Sequence, residues 1–113
     1  MIVEQRDYHV VTGKLPELVR LYADEGIAIQ REVLGGFVGA FTTDIGALST
    51  YTSLWEYPSF SAREERRAAL QARDDWRDFL ARIQPLIHTQ QNRILVPTSF
   101  SPLAGRPPGG HDG

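Results

Sequence analysis

The sequence predicts an α+β fold in which two helices cover one face of a four-stranded antiparallel sheet. Three observations lead to it. Segments rich in β-formers alternate with amphipathic segments in the order strand, helix, strand, strand, helix, strand. Gly13, Gly46, Pro58 and Pro85 fall at the joints between them. A chain of 113 residues fits one domain with one core. That element order is the split βαβ, or ferredoxin-like, pattern βαββαβ.

Each element has its own local reason. "IVEQRDYHVV" (2–11) is rich in β-formers and reads as a strand. Gly13 turns the chain, and Pro16 suits a first helical turn, where its missing N–H is no loss. Leu15, Leu18, Val19, Tyr22 and Ile29 recur at helical spacing, predicting a helix over about 15–32 that weakens at Gly26. Phe37, Val38, Phe41 and the following threonines favour a strand over about 35–43, and Gly46 occupies the hairpin loop. The strand over about 49–57 returns and stops at Pro58. "SARE" (Ser61 to Glu64) has the form of a capping box, with Ser59 a rival N-cap one turn earlier. Asp74 or Asp75 caps a further segment whose Trp76, Phe79, Leu80 and Ile83 form one stripe. "LIHTQQNRILV" is the last strand, over about 86–96. The domain is expected to span 1–103, with Phe100 and Leu103 able to dock on it. Residues 104–113 read as a flexible tail.

Composition excludes several function classes. Hydrophobic residues at 42% and charged residues at 23% describe an ordinary globular chain. A net charge of −2 leaves no electrostatic footprint for nucleic acid or an acidic membrane. The absence of cysteine removes disulfides and thiolate chemistry. No apolar run approaches the roughly 20 residues of a membrane span, and no basic-then-apolar leader opens the chain. A cytoplasmic location is the resulting expectation. His9, His88 and His111 lack metal-ligand spacing, and "LGGFVG" has no helix after it to make a dinucleotide fingerprint. No metal and no cofactor are expected.

The third strand raises the question of partners. Tyr51, Ser53, Trp55 and Tyr57 share one face. Together with Phe37 and Phe41 they imply more apolar area than two helices hide. Each large side chain left in water costs about 1.5–3 kcal/mol. A second copy, packed sheet against sheet into a two-fold barrel, is therefore expected. Packing within the core, packing in a dimer, and stacking against a flat ligand all remain open for this wall.

"MIVEQRDYHVVTGKLPELVRLYADEGIAIQ", "LGGFVGAFTTDIG", "LWEY", "REERRAAL", "DDWRDFL" and "QNRILVPTSFSPL" together resemble the NIPSNAP family, in the family's order and over 1–103. The resemblance implies a ferredoxin-like domain of the dimeric α+β-barrel superfamily. Its relatives include cofactor-independent oxygenases of aromatic polyketides, haem-degrading monooxygenases, lactone isomerases and proteins without known catalysis. Haem degradation is disfavoured. Arg6 stands near where those relatives place a strand asparagine, and no histidine follows Trp76 on its helix.

The candidate chemistry starts on the first strand. Glu4, Arg6 and Tyr8 share a face, with neighbouring Cα atoms about 6.5 Å apart, and match the E-x-R-x-Y start of the resembled family. They are either an internal ion pair or the wall of a wet cavity able to hold an enolate or phenolate. Asp7 and His9 occupy the opposite face. His88, with Gln90 and Asn92 on its face, is a candidate general base beside amides that hold an oxyanion; the alternative is an interface histidine. The expected catalytic set is thus Arg6, Tyr8, His88 and Glu4. The expected ligand contacts are Trp55, Tyr51, Tyr57, Phe41, Gln90 and Asn92. The ligand would be an aromatic or polyketide-like metabolite undergoing cofactor-independent oxygenation, isomerisation or cyclisation. The alternative is a non-catalytic binding or interaction protein.

Overall fold

The computed structural model describes residues 1–103. Its elements are β1 (Ile2–Val10), α1 (Leu15–Leu21), a π-helical turn (Tyr22–Gly26), α2 (Ile27–Leu34), β2 (Phe37–Thr42), β3 (Thr50–Tyr57), α3 (Phe60–Gln71), α4 (Asp74–Ile83), a 3₁₀ turn (Gln84–Leu86) and β4 (Ile87–Leu95). The four strands form one antiparallel sheet in the order β2-β3-β1-β4. This is the ferredoxin-like arrangement the element order predicts. The expected flexible tail at 104–113 lies outside the described residues.

The first helical stretch differs from expectation. It runs unbroken from Leu15 to Leu34 and absorbs Gly26 in the π turn. Gly26 is needed there for space: a Cβ would stand 2.4 Å from Cζ of Phe79, which packs against the turn. The second stretch opens at Ser59 and not at Ser61. The Ser59 hydroxyl accepts from the Ala62 N–H at 3.1 Å, the ordinary N-cap bond.

The sheet presents Ile2, Glu4, Arg6 and Tyr8 of β1 on one face, directly opposite Tyr57, Trp55, Ser53 and Tyr51 of β3. The helices lie on this face, and it is closed. Trp55 and Tyr57 are 0% exposed and Tyr51 4%, in one core with Leu18, Tyr22, Leu34, Leu70, Trp76, Phe79 and Ile83. The expectation that two helices leave this wall bare is therefore corrected. Two effects make the area fit. Each covering unit is a pair of helices, spanning 15–34 and 60–83. The tyrosines also stack on one another, Tyr51 at 4.8 Å from Tyr22 and 6.1 Å from Tyr8, so each ring hides part of its neighbour.

Two bulges redirect predicted site residues. Between Phe37 and Gly39 the β2–β3 register shifts, so Phe37 meets Trp55 but Phe41 meets Thr52. Phe41 therefore belongs to the far face, 54% exposed, away from the aromatic wall. Between His9 and Val10 the β1–β4 register shifts, pairing His9 with Thr89 and Val10 with Ile87. His88 falls in the irregularity and is exposed, while Gln90 and Asn92 pair with Tyr8 and Arg6. A bulge breaks the period of two on which the shared-face reading rested.

The far face is mixed. Asp7 accepts from the Thr52 hydroxyl at 2.6 Å and from the Gln5 amide, and Thr50 Oγ1 lies 3.2 Å from His9 Nδ1. Beside this polar row, Val3, Val38, Leu54, Leu95, Val96 and Leu103 border an apolar groove of about 270 Å³. Leu103 thus docks on the body, whereas Phe100 is exposed.

Candidate functional site

β1 is a central strand, so polar side chains on its helix-facing side are buried and need partners. Glu4 is fully buried. Its Oε2 accepts from Arg6 Nη1 at 2.9 Å, Arg63 Nη2 at 2.9 Å and Asn92 Nδ2 at 3.2 Å; its Oε1 accepts from Arg63 Nε at 3.2 Å. Arg6 Nε donates to Tyr8 Oη at 3.1 Å, which fixes the guanidinium between the carboxylate and the phenol. Burial pushes the Glu4 carboxyl up, but the Arg63 hydrogen bond and the charges of Arg6, Arg63 and Arg67 outweigh it, and its pKa lies below the ordinary value. Glu4 is thus an ionised anchor at neutral pH and a poor proton acceptor. Burial, with the Glu4 charge adding to it, pushes the nearby Tyr57 phenol up to about 12.

α3 supplies the other two arginines. Arg63 and Arg67 lie one turn apart, in line with buried Leu70, so both face the sheet. Arg63 joins the Glu4 carboxylate. Arg67 makes no hydrogen bond or ion pair to a protein group among the described residues, and its Nη1 is buried without a partner. Burial, and then the Arg6 charge, lower the Arg67 pKa. Arg63 also pairs with the exposed Glu64, 2.7 Å from its Nη1, so Arg6 and Arg63 have carboxylate partners at ion-pair distance and Arg67, among the described residues, has none.

Beside this cluster, between the sheet and α3–α4, is a cavity of about 360 Å³. Arg6, Tyr8 and Gln90 line it from the sheet, Arg67 and Gln71 from α3, and Trp76, Leu80 and Ile83 from α4. The volume falls in the range of small-molecule pockets, roughly 300–1,000 Å³. A guanidinium, a phenol and amides on one side and an apolar wall on the other can orient an amphipathic molecule with negative charge.

Of the residues singled out in the sequence, Arg6, Tyr8 and Gln90 line this cavity, and Glu4 and Asn92 brace Arg6 from behind. His88 and Phe41 are not among its lining residues. Trp55 is closed into the core, its Nε1 donating to Ser53 Oγ at 3.1 Å. Tyr51 and Tyr57 are buried with it. Arg63, Arg67, Gln71 and the cavity-facing side of Trp76 are not among the residues the sequence points to. The signal was present, because Arg63, Arg67 and Leu70 fall at i, i+4, i+7, a core-facing stripe that carries charge.

Fold and site together define a ferredoxin-like α+β protein with a buried arginine cluster against its central strand. The NIPSNAP family model matches residues 3–102. The chain is 33% identical over 102 residues to a NipSnap protein of Caenorhabditis elegans and 34% identical over 103 residues to NipSnap homolog 1 of Danio rerio. Each match covers 90% of this chain but 19% and 36% of those relatives, so the chain spans about a third of their length or less. A NIPSNAP family protein of Agrobacterium tumefaciens superposes with a TM-score of 0.88 at 47% identity, covering 90% of this chain and 97% of that one. A NIPSNAP-like domain protein of Burkholderia xenovorans superposes at 0.89 with 44% identity, covering 95% and 91%. The chain belongs to the NIPSNAP family. The solved structure of an antibiotic biosynthesis monooxygenase shares the fold at a TM-score of 0.63 and 11% identity, covering 87% of this chain and 99% of that one. Among the described residues no helix is long and apolar enough to cross a membrane.

Proposed function

We propose that this protein is a homodimeric small-molecule-binding member of its family, with the ligand held in the cavity between the sheet and α3–α4. The observation that carries this reading is the placement of Arg6 and Tyr8. Both are buried, hydrogen-bonded to each other, and line a cavity whose other wall is Trp76, Leu80, Ile83 and Ile87. An enolate or phenolate of an aromatic or polyketide-like metabolite fits such a wall. Arg6 and Tyr8 hold its negative charge, and Gln90 sits beside them as a polar contact. Isomerisation, cyclisation or oxygenation by molecular oxygen, all without a resident cofactor, are the reactions that enolate stabilisation serves.

A second reading, binding without turnover, is favoured by the state of the expected bases. Glu4 is held ionised by arginines, and His88 stands on the exposed side of a bulge. The substrate's own acidity would then have to supply the anion.

The dimer now rests on the far face and not on the aromatic wall. Val38, Phe41, Leu95 and Val96 are exposed there, and they border or neighbour the apolar groove. Sheet-to-sheet pairing of two copies covers them. Native mass spectrometry of the gently purified protein reads both parts at once. The expected spectrum shows a species of about twice the 12.7 kDa chain, carrying extra mass below about 500 Da from a pocket-sized ligand. A bare monomer at micromolar concentration would refute the dimer. A dimer that emerges ligand-free from every preparation counts against the cavity as a binding site.

A further inference from the structure

We infer that Arg67 binds a carboxylate of the ligand in this cavity, beside the Arg6–Tyr8 pair that meets the enolate or phenolate oxygen, and that the ligand entering the site is an amphipathic monoanion, a carboxylate joined to a flat or branched apolar body. The inference rests on the cavity being a ligand site and adds the charge the ligand carries. Arg6 and Arg63 share the Glu4 carboxylate, at 2.9 Å each. Arg67 lines the cavity beside Arg6, and among the described residues no protein carboxylate lies within ion-pair distance of it, Glu4 acting on it only through its charge. Trp76, across the cavity on α4, carries a second such group, a buried Nε1–H with no acceptor. Among the lining residues, both unpartnered buried polar atoms are donors. A complementary ligand therefore brings acceptors.

A neutral carbonyl would satisfy a donor but leave the surplus charge in place. Burial and the Arg6 charge disfavour the charged form of Arg67 and outweigh the favourable charge of Glu4, and an incoming anion offsets both. Arg67 is placed for this because α3 holds it one turn beyond Arg63, past the reach of the Glu4 hydrogen-bond set. The apolar half of the ligand follows from Leu80, Ile83, Ile87 and the Trp76 ring, which face no charge of their own in the cavity beyond the arginines. Carboxylate is favoured over phosphate because one surplus guanidinium next to an apolar wall matches a single charge on a hydrophobic body.

Binding of 2-naphthoate and 2-naphthamide to the full chain at neutral pH tests this, with octanoate and inorganic phosphate as competitors. Wild type is expected to bind naphthoate at least tenfold tighter than naphthamide, with octanoate competing and phosphate not. Arg67→Gln should abolish that preference and leave naphthamide affinity within about twofold. Arg67→Lys should keep most of the preference. The melting temperature of Arg67→Gln should hold or rise, since the substitution removes a charge that burial and Arg6 disfavour on balance. Equal binding of the acid and the amide, or a preference that survives Arg67→Gln, overturns the inference while the cavity remains a ligand site. Competition by phosphate as strong as by octanoate overturns its apolar half. A melting temperature that falls in both variants makes Arg67 a structural group and also overturns it. If naphthoate, naphthamide and octanoate all fail to bind, the cavity reading itself falls.

Discussion

Glu4→Gln is expected to lower stability by about 3–5 kcal/mol, the usual cost of removing one partner from a buried charge set. For a domain of this size that is a fall in melting temperature of roughly 15–30 °C. The isosteric amide keeps the volume and removes the carboxylate that Arg6 and Arg63 share across the sheet–helix boundary. Burial of Glu4 is complete, so little water is available to replace the lost charge. The same group governs the acid limb of stability. Its folded pKa is lowered, so the contribution is fully present above the unfolded carboxyl value near ~4.3 and disappears as pH falls through the lowered folded value. Wild type and Glu4→Gln should therefore differ most at neutral pH and converge in strong acid. Thermal melts across pH check both halves. A variant that melts within a few degrees of wild type at pH 7 would show that the cluster is solvated.

Gly36→Ala is expected to cost about 3–5 kcal/mol, from two causes that add. Gly36 has a φ of +49°, which alanine adopts only at a cost of roughly 1–2 kcal/mol. A Cβ there would also stand 2.0 Å from the Glu56 carbonyl oxygen, a backbone atom that cannot rotate away. The Gly36 carbonyl accepts from the Glu56 N–H at 2.8 Å, so relieving the clash breaks the bond that ties the end of α2 to β3. Gly13→Ala is the control. Its φ is also positive, at +85°, but nothing lies within 4 Å of the added atom. It should lose only about 1 kcal/mol. Denaturant titration of the two variants separates conformational cost from clash, and equal losses would contradict the crowding at Gly36.

The element order, the strand and helix types and the E-x-R-x-Y face were legible because they depend on local periodicity, which survives folding unchanged. Glu4, Arg6 and Tyr8 alternate on β1 as the sequence spacing requires. What could not be seen depended on two things periodicity omits. The bulges opposite β3 and beside His9 flip or displace one residue each, and this moved Phe41 and His88 out of the expected site. The helices' capacity to cover the aromatic wall depended on stacking among Tyr8, Tyr22 and Tyr51, from three separate elements. The arginines of α3 were legible in principle. Arg63 and Arg67 stand in a run of charged residues, but their alignment with buried Leu70 marks the inward face of the helix.

The most direct test of a ligand under Arg6 and Arg67 uses the two tryptophans, which give two indole N–H signals in a proton–nitrogen correlation spectrum. Trp76 lines the cavity, whereas Trp55 is sealed in the core on Ser53. Titration with 2-naphthoate should shift the Trp76 signal and leave that of Trp55 in place. A stationary Trp76 signal, with shifts instead at Val3, Leu54 and Leu103 in the far-face groove, would contradict it.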